Sequence, residues 1–260
     1  MVLQPFHLVM ISPWPLLTSG FVGSILLRTV RWIWRSGRFL YVLIRLIGVI
    51  LTVRRWWVDV VVERRVEGCH TSVVEVGIRW GIVLFIVREI LLFFRVFWGF
   101  WHRRLSRVVE VGYLWPPIGL VRVDAFEVPL LNTLILLGRG VRVTWAHHRV
   151  LGGDWEGYRL GILITIGLGL YFLMVQGGEY WLASIGFNDR RMGRCFYIAT
   201  GLHGCHVLVG GLYLIVMWVR GMKGHFSKRH HFGLEGSIWY WHFVDVVWVM
   251  LFAIVYWWGG

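Results

Sequence analysis

The chain has 260 residues, of which 57% are hydrophobic, 17% aromatic and 16% charged, with a mean hydropathy of +0.64. Such a composition excludes an ordinary soluble domain and leaves an integral membrane protein. The formal net charge of +13 does not indicate nucleic acid as a partner, because much of it lies within or beside apolar runs and forms no solvated patch.

A membrane span needs about 20 mostly apolar residues, since a helix rises about 1.5 Å per residue across a core about 30 Å thick. The N-terminal "MVLQPFHLVMISPWP" has no basic leader and no small-residue cleavage site, so it does not read as a targeting segment. Spans are predicted over 16–34 and 39–57, the first interrupted by arginines at its far end. A polar segment from Thr52 to Arg79 follows. The third span, 80–101, contains Arg88, Glu89 and Arg95. It runs into a long loop in which Pro116, Pro117, Gly119 and Pro129 mark ordered turns. Four more spans are predicted at 128–148, 160–181, 194–219 and 237–258. "HHRVLGGDWEGYR" is a turn between the fourth and fifth, and "GMKGHFSKRHHFG" a basic, His-rich turn between the sixth and seventh.

The expectation is therefore an all-α, polytopic membrane protein forming one domain over 1–260, with a two-helix part at 16–57 and a five-helix bundle at 80–258. An odd number of spans puts the termini on opposite sides. Counting short-loop Lys and Arg places 52–79, 220–231 and the N-terminus inside.

Histidines are the obvious chemical lead. They stand in "TWAHH" (His147, His148), "GLHGCH" (His203, His206), "KRHHFG" (His230, His231) and "WHFVDVVW" (His242, with Asp245). Residues three apart share a helix face, so His203/His206 and His242/Asp245 could each offer two ligands to one metal, as in a stand-alone histidine-box membrane metalloenzyme. These pairs sit at different ends of different spans, however. Hydrogen bonding between helices is the better expectation, with no metal or catalytic residue in this chain.

Acidic groups inside spans are functional candidates: Glu89, Glu179 and Asp245. Glu89 has Leu92 and Phe93 at i+3 and i+4, and Arg88 at i+1 does not face it on a helix. It reads as a lone protonated carboxyl, bonded to another helix or handling protons. Trp56, Trp57, Trp80, Trp98, Trp115, Trp239 and Trp241 cluster near span ends, where indole anchors at the interface. Cys69, Cys195 and Cys205 include no close pair and suggest neither a disulfide nor a zinc site.

The blocks "SPWP", "VEGCHT", "WPPIG", "EVPLLNTLILL", "VTWAHH", "ATGLHGCHVLVGG", "HHFGLE" and "WYWHFVDVVWVMLFAIVYWWGG", in this order and spacing, resemble subunit III of cytochrome c oxidase, and the chain looks like a mitochondrial, invertebrate-type member. The resemblance implies seven helices in a 2+5 arrangement, the first two splayed from the rest around a lipid-filled cleft. It implies a non-catalytic subunit of respiratory complex IV in the mitochondrial inner membrane. Such a subunit packs on subunit I, beside subunit II and accessory subunits, and supports proton uptake and lasting turnover. Haems and copper belong to the partners, and bound phospholipids are the only cofactors expected here. By position, the lipid-headgroup residues are Trp57, Glu63, His70, Arg220, Lys223 and His230, and the buried carboxyl near proton uptake is Glu89. Val58 and Val62 stand where the family usually has arginines.

The same comparison bears on the arginines, since only two of the 27 basic residues are lysines. At Arg88, Arg103, Arg104, Arg139, Arg149 and Arg194 the family usually has serine, and at Arg95, Arg142 and Arg190 a small residue. Many invertebrate mitochondria read AGA and AGG as serine, so the sequence as written is expected to be a standard-code translation in which many arginines stand for serine. Independently, arginine at a span centre costs about 2.5–3.5 kcal/mol on insertion scales. Abundant Gly, Val, Trp and Phe with scarce Pro, Lys, Asn and Gln also describe a G- and T-rich coding strand.

Overall fold

The computed structural model describes residues 5–35, 39–105, 124–183, 186–187, 190–228 and 230–259. Most of the predicted ordered loop, including Pro116, Pro117 and Gly119, lies outside these residues. Among them the chain is helical without strands: α1 (Trp14–Arg35), α2 (Leu40–Arg65), α3 (Ser72–Leu105), α4 (Val128–Gly152), α5 (Trp155–Leu182), α6 (Arg190–Met222) and α7 (Phe232–Leu251). A π-helical segment, Phe252–Trp257, continues α7.

Each helix overlies an expected span and most extend beyond it; α2 begins one residue late, at Leu40, and the seventh span is continued from Leu251 to Trp257 by the π-helical segment. The segment Thr52 to Arg79, expected to be a polar connection, is largely helix: α2 runs to Arg65 and α3 begins at Ser72. Hydropathy marks where lipid ends, whereas a helix continues into water while its backbone bonds hold and no breaker intervenes. The breaker is Gly68, whose φ of 67° closes the turn, and Cys69 N–H then donates back to Glu63 O at 3.0 Å.

The chain forms two compact units, 1–81 and 82–260. In the first, α1 and α2 run antiparallel. Trp14 Nε1 donates to Asp59 Oδ2 at 2.5 Å, and Thr18 Oγ1 donates to Thr52 Oγ1 at 3.2 Å. Phe21 lies against Gly48, where a Cβ would come within 2.8 Å of the ring.

In the second unit, small residues let helices approach. A Cβ on Gly161 of α5 would meet Ala146 Cβ of α4 at 2.8 Å, and one on Gly210 of α6 would meet the Trp241 ring of α7 at 2.9 Å. Asp154 caps α5 by accepting from Gly157 N–H at 2.9 Å, after a turn in which Gly153 has φ 83°. Polar side chains bond across helices. Tyr158 Oη donates to Met217 O at 2.9 Å, Trp248 Nε1 to Thr133 Oγ1 at 3.1 Å, and Asn132 Nδ2 to Gln176 Oε1 at 3.3 Å. Trp241, Trp248, Tyr158 and Phe172 fill the centre, while Leu163, Leu170, Leu212 and Val246 face outward.

That apolar exterior around polar, hydrogen-bonded contacts is what a lipid solvent selects. Three of the described segments, Trp155–Leu182, Gly193–Met222 and Phe232–Trp257, are long and apolar enough to cross a membrane by length and composition alone. The charges written into α1 to α4, among them Arg28, Arg45, Arg88, Arg95, Arg139 and Arg142, keep those helices from reading so plainly.

Candidate functional sites at the helix ends and on helix three

Three of the six expected headgroup residues belong to the first unit. Trp57 is exposed on α2, and Glu63 follows at its C-terminal end. His70 lies just past the Gly68 turn. His7, which sequence reasoning missed, comes to the same place. Its Nε2 is 3.2 Å from Glu63 Oε2 and its ring centroid is 5.7 Å from that of His70. Proximity across 56 residues leaves no local signal that could have pointed to it. Arg64 is occupied by Glu75 at 2.9 Å. Burial, with the Arg64 charge behind it, pushes the His70 imidazole below its ordinary value. A neutral imidazole there can meet an anion only as a hydrogen-bond donor. Val58 and Val62 are exposed and apolar, so they offer no cation there.

The other three lie in the second unit. Arg220 ends α6 with its guanidinium 5.1 Å from the Phe226 ring centroid. Lys223 is exposed in the turn that follows, where Gly224 has φ 65°. His230 is exposed, its N–H donating to Ser227 Oγ at 3.1 Å.

Glu89 is buried on α3, at 6% exposure, and it is not alone. Arg88 Nε donates to its Oε1 at 3.0 Å, and the same guanidinium forms an ion pair with it. The expectation that neighbouring residues cannot pair fails because the long arginine stem swings its head around the helix, where it also lies 4.9 Å from the Phe85 ring centroid. On the other side His206 Nε2 of α6 stands 3.0 Å from Glu89 Oε2, while His206 Nδ1 is 2.7 Å from Leu202 O. A carbonyl only accepts, so Nδ1 carries hydrogen, and the contact between Nε2 and the carboxyl holds one shared proton.

The remaining histidines go separate ways. His203 is fully buried and its Nε2 donates to Val244 O at 3.2 Å. His242 Nε2 is 3.2 Å from Thr144 Oγ1, and its Nδ1 is 3.9 Å from Asp245, whose other oxygen accepts from Arg139 Nε at 3.0 Å. Neither sequence pair therefore converges on one point. The structure does join two histidines that the sequence kept 84 residues apart: His147 Nε2 of α4 and His231 Nε2 at the start of α7 are 3.3 Å apart, with Glu235 Oε1 3.3 Å from His231. Glu179 is buried near the end of α5, beside Gln176 and Tyr256.

Among the described residues, an apolar exterior, seven helices and polar groups spent on interhelical bonds define a polytopic helical membrane protein. The sequence model for cytochrome c oxidase subunit III matches residues 4–260, and the chain belongs to that family. It is 46% identical over 259 residues to cytochrome c oxidase subunit 3 of Drosophila melanogaster, covering 99% of this chain and 98% of the relative. To the same subunit of Lumbricus terrestris it is 44% identical over 260 residues, the whole of both chains, and to that of Equus caballus 44% over 256 residues, covering 98% of this chain and 97% of the relative.

Proposed function

We propose that the chain is a core subunit of cytochrome c oxidase in the mitochondrial inner membrane, packing on subunit I beside subunit II, holding phospholipid and supporting proton uptake and turnover without a redox centre of its own. The observation that carries this is the family match over residues 4–260. The cations and imidazoles among the expected headgroup residues suit phosphate, Arg220, Lys223 and His230 in one unit and His70 in the other, where Trp57 adds an indole N–H and Glu63 an anion that can hold a headgroup amine. The same resemblance implies a 2+5 arrangement of helices with bound phospholipid.

The Glu89–His206 contact supports the proton-handling part of the reading, because a single proton shared over 3.0 Å can sit on either partner. Purification of the oxidase through this chain tests the proposal. The expected result is co-isolation, in fixed stoichiometry, with the haem-bearing subunits and with phospholipid that survives detergent washing. Recovery of the chain apart from any respiratory assembly, or with its own haem or copper, would overturn it.

A further inference from the structure

We propose that His147, His231 and Glu235 form a three-ligand site for a divalent transition metal of the zinc type, tying the start of α7 to α4 and leaving a fourth position open to water or another solute. This inference is independent of the oxidase assignment, since it rests only on how three side chains of the second unit meet. Their ligand atoms all lie within 4.8 Å of one another. Two of the separations, His147 Nε2 to His231 Nε2 and His231 Nε2 to Glu235 Oε1, are both 3.3 Å. A tetrahedral ion with bonds of about 2.0–2.1 Å has donor–donor edges of about 3.3 Å, so both contacts already have the length of such an edge.

Proton bookkeeping points the same way. His231 Nδ1 is 3.1 Å from Ser227 O, and a carbonyl can only accept, so Nδ1 carries hydrogen and holds the ring in place. In the neutral imidazole, Nε2 then presents a lone pair. That lone pair, the Nε2 of His147 and a carboxylate oxygen of Glu235 face one small volume, where a divalent cation can take all three in place of the proton that otherwise bridges the imidazoles. An Nδ1–H bonded to a backbone carbonyl is also the usual partner that orients a metal-bound imidazole. The site is preformed on one side, because His231 is 3% exposed and sits directly before α7, with Glu235 one helical turn on. It is reachable on the other, since His147 and Glu235 are only partly buried. Two imidazoles and one carboxylate make a borderline donor set that favours zinc over calcium or magnesium, which take oxygen ligands.

The test uses the assembled oxidase, washed with EDTA and then soaked with zinc chloride, with anomalous diffraction collected at the zinc edge. The expected result is a peak about 2.0–2.1 Å from the three named atoms, absent from the EDTA-treated sample. No peak at these residues at about millimolar zinc, well above the usual range for a built site, would overturn the proposal. His147→Gln and Glu235→Gln are each expected to weaken zinc occupancy there at least about tenfold. Unchanged occupancy in either variant would remove that residue from the site and overturn the three-ligand assignment. Should a variant fail to assemble, the wild-type peak decides.

Discussion

Arg139 has no solvent exposure, and of its guanidinium only Nε has a partner, Asp245 at 3.0 Å; Nη1 and Nη2 find no acceptor and lie among the rings of Phe172 and Trp241. A guanidinium in such a place leaves most of its five donors unspent, whereas a serine hydroxyl in a helix bonds the carbonyl four residues back and needs nothing more. Arg88 and Arg95 are exposed on a helix that crosses lipid, at a cost serine avoids. Peptide mass spectra of the native protein are therefore expected to give serine at 88 and 139, with no tryptic cleavage there; arginine masses at both would refute the recoding. With serine at 88, Glu89 keeps His206 as its charged-or-neutral partner. Glu89→Gln is expected to leave assembly intact and to slow proton uptake or shorten turnover lifetime, measured on reconstituted oxidase. Activity, lifetime and uptake all equal to wild type would end the functional reading of that carboxyl.

The close approach of α4 and α5 rests on Gly161, where a side chain would collide with Ala146 and the Trp145 ring. Gly161→Leu is expected to destabilise by about 1–3 kcal/mol through overpacking, seen as a lower thermal midpoint of the purified complex. Gly167→Ala in the same helix, where nothing lies within 4 Å, is the control and should leave the midpoint unchanged. All seven helices were legible as spans because lipid demands long apolar runs, and the family was legible in blocks such as "TWAHH" and "HGCH". Helix ends were not. The residues 58–65 and 72–79 are too polar to read as membrane, yet they continue α2 and begin α3, since what stops a helix is a backbone event such as Gly68. The polar contacts were illegible for a different reason. His7 with Glu63, Glu89 with His206 and His147 with His231 join residues 56, 117 and 84 positions apart, and no helical period carries that information. The one polar contact that local periodicity ruled out, Arg88 with Glu89, forms because side-chain length overrides Cβ direction.

At the scale of the whole molecule, the two units carry their headgroup candidates separately, and each set combines a hydrogen-bonding or cationic group with an aromatic ring. If phospholipid is a structural component, delipidation of the oxidase should lower its thermal midpoint, and added cardiolipin or phosphatidylglycerol should restore it. Lys223→Glu is expected to reduce lipid phosphorus retained per complex without loss of haem. Equal retention would remove Lys223 from the lipid site.

The π-helical segment at Phe252–Trp257 adds a last consequence. Its wider turn sends Trp258 N–H to Ala253 O, five residues back, at 2.9 Å, and it leaves two adjacent side chains, Val255 and Tyr256, both buried. Tyr256 Oη accepts from Gln176 Nε2 at 3.4 Å. A wide turn of this kind amounts to one surplus amino acid absorbed without breaking the spiral. Excising a single residue from it would wind the tail back to an ordinary pitch, rotate everything downstream by about 100°, and carry the phenol away from its glutamine.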